Sequence, residues 1–221
     1  MSLPVSNLVN DAAIAIGDPN KTRVKMSEWT SFYSRAAREL CSKANVLQQR
    51  ATFNLGTQQA YHFPDDMTTM SKMEVSETPT DGDSWRVIRE IFEDEFRSMT
   101  SGRYSDNTLP EMYFADRLGF YLVPRPTATI VDGGRITYFG LPDAITDATT
   151  ATYQLPEFTR DYILRRMIVF GLAARNRHAE AEAELRQWFA DVEDLQDKMA
   201  DRSDDRRSSL APRRSRYQGM R

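Results

Sequence analysis

The stretch that decides the fold is residues 157–200, EFTRDYILRRMIVFGLAARNRHAEAEAELRQWFADVEDLQDKMA. From Glu157 to Arg177 it is broadly apolar, with Tyr162, Ile163, Met167, Phe170 and Leu172 spread over several faces, and it predicts a helix buried on more than one side. After it Ala181, Leu185, Trp188, Val192, Leu195 and Met199 recur at alternating steps of four and three, one apolar stripe among charged residues. Asn176 to His178 offers a connection between two antiparallel helices, although Arg177, His178 and Ala179 could also continue one long helix. Leu185, Trp188, Val192 and Leu195 then form either the seam of a helical hairpin or a contact to another subunit, and the two can coexist.

Working outward, the N-terminal side holds matching helical segments. Leu8 to Ile16 is a short apolar helix stopped by Gly17-Asp18-Pro19. In SEWTSFYSRAARELCSKANVLQQ (27–49) Ser27 is placed to cap, and Trp29, Phe32, Tyr33, Ala36, Leu40, Ala44 and Leu47 keep a helical spacing. Cys41 lies beside that stripe with no basic partner motif and reads as a small buried hydrophobe.

Between these helical ends the period changes. RATFNLGTQQAYHFPDD (50–66) predicts a β-hairpin, Thr52–Leu55 and Gln59–Phe63 flanking Gly56-Thr57, with His62 on the face opposite Tyr61 and Phe63. MTTMSKMEV (67–75) alternates as a third strand, and TPTDGDSW (78–85) is a loop ending in a cap at Asp83 or Ser84. A helix over about 84–99 follows from the stripe Trp85, Ile88, Ile91, Phe92, Phe96 and Met99, with Glu93, Asp94 and Glu95 on its solvent side. The chain from Glu111 to Asp143 is β again: Met112, Phe114, Leu118, Phe120, Leu122, Ile136 and Tyr138 are expected to point inward. Asp116-Arg117 forms a hairpin connection, and Asp132-Gly133-Gly134 a turn.

The fold class expected is α+β and mainly helical. Residues 1–48 and 142–201 make a helical domain with a terminal helical hairpin, residues 49–141 an inserted β-rich lobe, and residues 202–221 a basic extended tail. That tail contrasts with the body. The chain has 29 basic and 32 acidic residues and a net charge of −3. RRSSLAPRRSRYQGMR (206–221) holds six arginines and no acid, so the remaining 205 residues carry 23 bases against 32 acids. An acidic body disfavours nucleic-acid binding over its whole surface, since phosphate affinity comes largely from Lys and Arg. Any such binding falls to the tail.

Other function classes find no residues to carry them. One cysteine excludes an internal disulfide, and His62 and His178 lie too far apart in sequence to form a zinc motif, so no metal or cofactor is expected. No nucleotide loop, Gly-x-Ser-x-Gly or Cys/His pair suggests an enzyme. No apolar run reaches membrane-span length and the first residues lack a basic, then apolar, leader, so a cytoplasmic chain is expected.

The order EWTSFYSRAARELCSKA, FNLGTQQAYHFPDDM, WRVIREIFEDEF, PEMYFADRLGFYLVPRP, RITYFGLPDAI and LPEFTRDYILRRMIVFGLAAR resembles that of the head-to-tail adaptor proteins of tailed bacteriophages, over residues 5–201. The resemblance implies a structural virion protein, assembled in the host cytoplasm into a ring, typically of twelve identical subunits. The ring would be fixed to the portal protein, would pass packaged DNA, and would hold a downstream tail or nozzle protein. It also implies docking on the portal by a C-terminal extension. Here Arg206, Arg207, Arg213, Arg214 and Arg216 would pair with portal carboxylates, with Leu210 and Tyr217 as apolar anchors. The alternative is an oligomeric nucleic-acid binding protein that grips phosphate with this tail.

Overall fold

The computed structural model describes residues 4–57, 60–99, 109–117 and 119–210. The architecture is α+β, with five α-helices and one six-stranded sheet among these residues. The chain divides into two compact units, one made of Met1–Val46 and Ala144–Arg221, the other of Leu47–Asp143.

The first unit contains α1 (Val5–Ala15), α2 (Met26–Ala44), α4 (Arg160–Ala174) and α5 (His178–Leu210). Helix α4 is central and packs on α1, α2 and α5, which is why its sequence is apolar on several sides. Ile163, Met167 and Leu172 are buried there. Gly171 lets α1 and α2 come close, since a Cβ there would lie 3.0 Å from Cδ1 of Ile16 and 2.8 Å from Cη2 of Trp29. A left-handed Asn176 (φ 58°) ends α4, and α5 starts two residues later, so the long apolar segment and the stripe form two helices. Ser27 does not cap α2. Lys25 is its N-cap, and the Lys25 backbone N–H donates to Oε2 of Glu28 at 2.7 Å.

The turn after α1 is held by a buried carboxylate. Asp18 accepts from the backbone N–H groups of Thr22, Arg23 and Val24 and from the Thr22 hydroxyl, at 3.0–3.1 Å. Burial by itself would raise its pKa, but these four donors outweigh it and hold the carboxyl below its ordinary range. Cys41 is buried, and burial pushes its thiol up to about 12.

The second unit is the sheet, ordered β1-β6-β2-β3-β4-β5. Strands β1 (Gln48–Leu55), β2 (Met67–Val75), β3 (Arg86–Ile91), β4 (Met112–Ala115), β5 (Phe120–Val123) and β6 (Ile130–Gly140) are antiparallel, apart from the parallel pair β3 and β4. The main core lies on one face, built by Leu55, Tyr61, Met73, Val75, Ile88, Tyr113, Phe120, Leu122, Ile136 and Tyr138.

Several local expectations are corrected here. Residues 52–55 do not pair with 60–63: β1 pairs with β6, and Tyr61 makes only a bridge to Phe120. Gln59 and Leu118 lie outside the described residues. Residues 86–91 are a strand, and α3 is confined to Glu93–Met99. Strand β3 leaves β2 after Ile88 and joins β4 at Arg89, so its buried side rotates and Ile88 and Ile91 face inward at a helical spacing. Met112 and Phe114 do not face the main core. They pack with Ile91, Val123 and Phe96 in a second cluster, while Tyr113 enters the first.

Asp132-Gly133-Gly134 is not a turn between strands. These residues lie inside β6, where Asp132 is left-handed (φ 52°) and the register against β1 shifts between Phe53 and Leu55. The tail is corrected as well. Helix α5 continues through 202–210, because no Pro or Gly interrupts that stretch and the first breaker is Pro212.

Candidate docking surfaces

The α4–α5 hairpin absorbs most of the stripe within one chain. Trp188, Val192 and Leu195 are buried and Leu185 is half-buried. The Trp188 indole Nε1–H donates to the Tyr162 carbonyl at 2.8 Å, and the Arg166 guanidinium stacks on the Trp188 ring 5.0 Å from its centroid. Arg166 also donates to both carboxylate oxygens of Glu39, at 2.8 and 3.1 Å, which ties α4 to α2. On the other side Arg165 pairs with Asp191. His178 is exposed.

The C-terminal arginines split into two groups. Arg206, Arg207 and Leu210 lie on the last turns of α5, while Arg213, Arg214, Arg216 and Tyr217 lie outside the described residues. From Met199, the last residue of the stripe, the helix runs eleven more residues to Leu210, about 16 Å along its axis. The first two of the six arginines therefore lie on α5 itself.

The structure also shows apolar surface that sequence patterning did not single out. Ile14, Phe158 and Phe189 are exposed on the first unit, and Val87, Phe92 and Val131 on the second. Phe92 is 84% exposed, although its spacing had placed it in a buried stripe. It follows the end of β3, where the chain leaves the sheet for α3. The acidic run beside it is partly neutralised, with Glu93 paired to Arg97 and Glu95 to Arg89.

The sheet face opposite the main core is polar and carries a charge network. Glu74 is buried and accepts from Nε of Arg135 and Nζ of Lys72, both at 2.9 Å. Burial favours its neutral form, but the two cations prevail and keep its pKa below the usual value. Trp85 stacks on Arg135, with the guanidinium 4.1 Å from the ring centroid. These residues come from two strands and from Trp85, which precedes a third, so no local motif announces them.

Among the described residues no group of three or more His, Cys, Asp and Glu could hold a metal ion, and no helix is long and apolar enough to cross a membrane. A family model described as SU10 adaptor protein matches residues 3–216, nearly the whole chain. The chain belongs to the SU10 adaptor protein family. The adaptor is thus a bacteriophage virion component with a head-to-tail connecting, structural role, and the family is normally non-enzymatic. No curated protein sequence matches the adaptor significantly.

Proposed function

We propose that the adaptor assembles into a homo-oligomeric ring of twelve copies beneath the portal, where it continues the DNA exit channel towards the tail. In this reading Arg206, Arg207, Leu210, Arg213, Arg214, Arg216 and Tyr217 dock on the portal, each chain reaching out along the end of α5. The observation that carries it is the extent of the family match, which runs through Arg216 and so includes most of the basic segment with the body. Bidentate guanidinium–carboxylate pairing would give each tail orientation as well as attraction. Ring repetition lets many modest contacts act together. The acidic body is compatible with a channel that passes DNA without holding it. Exposed Val87 and Phe92 on the second unit and Phe189 on α5 offer apolar surface to neighbouring subunits and the next tail protein. Assembly would take place in the host cytoplasm.

Co-sedimentation with the portal ring of the same phage tests this reading, comparing the full chain, a chain ending at Asp205, and a chain with Arg213, Arg214 and Arg216 changed to Gln. Portal binding by the full chain, lost in both variants, is expected. Salt-sensitive binding to duplex DNA without any to the portal would overturn it and leave the nucleic-acid reading.

A further inference from the structure

The polar face of the sheet contains a buried hydroxyl that none of the described residues satisfies. Thr137, in β6, is 1% exposed, and its Oγ1 has no hydrogen-bond partner among the described residues. Buried polar groups are nearly always paired, and an orphan points to a missing water or ion. The strand register shows what flanks it. Arg50 of β1 and Lys72 of β2 are its direct cross-strand partners, so Arg50, Thr137 and Lys72 form one row across three strands. Directly opposed side chains on one face lie about 5 Å apart at Cβ. Both neighbours of the orphan are therefore cations.

The next row along the strands is Thr52, Arg135, Glu74 and Val87. Glu74 is the one acid in these two rows, and it is occupied by Arg135 and Lys72. Arg50 is exposed and has no ion pair among the described residues. Three cations against one carboxylate leave a surplus of two positive charges around a hydroxyl that can donate. One further acid, Asp132, accepts from the Thr52 hydroxyl at 3.1 Å, and its backbone N–H donates to Oδ1 of Asn54 at 2.8 Å; counting its charge, the positive surplus is one. The row beyond, Gln48, Phe139 and Thr69, is uncharged.

We propose that Arg50, Thr137 and Lys72 form a phosphate-binding row on the face of the sheet opposite its main core. The guanidinium of Arg50 supplies a planar fork, Lys72 a point charge, and Thr137 a hydroxyl donor, a set that suits a tetrahedral oxyanion. The phosphate is either a phosphodiester of duplex DNA or free phosphate, and the site is independent of portal docking by the tail.

The test uses the full chain and three variants, Arg50→Gln, Thr137→Val and Thr137→Ser. Thermal unfolding is followed in sodium phosphate and in sodium chloride at equal ionic strength. Phosphate should raise Tm in the wild type and in Thr137→Ser, and the rise should vanish in Arg50→Gln and Thr137→Val. Equal rises in all four proteins would overturn the proposal, because phosphate also stabilises proteins by exclusion from their surface. A Thr137→Val variant that is more stable yet still responds to phosphate would also overturn it, leaving an orphan hydroxyl and nothing more. Anisotropy with a short labelled duplex separates the sources. A severalfold weaker affinity for Arg50→Gln, with a salt slope shallower by about one, assigns the site to DNA. Unchanged DNA affinity alongside a lost phosphate response assigns it to free phosphate. Portal co-sedimentation should be unaffected in either case, which distinguishes this site from the tail.

Discussion

Substituting Gly134 tests how the second unit is packed. Gly134 is paired across the ladder with Phe53, and a Cβ added at Gly134 would fall within contact distance of three atoms of the Phe53 ring. The ring has little room to move, since its centroid lies 5.2 Å from those of both Tyr61 and Phe120. Overpacking of a settled core costs ~1–3 kcal/mol, and three overlapping ring atoms place Gly134→Ala at the upper end. Removing a glycine from a strand returns roughly 0.5–1 kcal/mol of chain entropy. The net expectation is a loss of about 2 kcal/mol, or a urea midpoint lower by about 1 M for an m-value near 2 kcal/mol/M. Hydrogen exchange in peptides covering β1 and β6, measured across a urea series, reads this unit separately from the helices. In a Phe53→Ala background the same change should be neutral or slightly stabilising. Equal midpoint shifts in the two backgrounds, or none in the wild type, would refute this account of Gly134 as the seat of an aromatic ring.

Further expectations follow from the first unit. Asp18 has a folded pKa below its unfolded value, so its contribution is fully present above about pH 4 and is lost as pH falls through the folded pKa. The urea midpoint of Asp18→Asn should therefore fall less between pH 6 and pH 3 than that of the wild type, and parallel curves would contradict the assignment. Trp188→Ala removes a fully buried indole and its hydrogen bond to Tyr162, and should destabilise the helical unit by about 3–5 kcal/mol in chemical denaturation. Cys41, with its thiol pushed up to about 12, should resist a disulfide reagent at pH 8 in the native chain and react promptly in denaturant. Prompt native labelling would place it nearer the surface than the packing of α2 allows.

The sequence by itself determined the elements whose signals are local. Helices α2, α4 and α5 were legible because each repeats its apolar residues within a few turns, and the left-handed Asn176 separates α4 from α5 at the connection expected there. The β4–β5 hairpin was legible because Asp116-Arg117 marks a tight connection between two apolar segments, and in the structure Asp116 and Gly119 bond across it. What only the tertiary structure decided was pairing between distant segments. Strand β1 finds β6 some 80 residues later, a choice no local spacing encodes. RVIREI at 86–91 carries Ile88 and Ile91 three apart, a helical spacing, because the strand changes partner midway and turns its buried side. Gly133 and Gly134 resembled a turn because turn formation and close backbone-to-ring packing both call for glycine. The row of Arg50, Thr137 and Lys72 belongs to the same class. Each residue is ordinary on its own strand, and only the register of three strands places a buried hydroxyl between two cations.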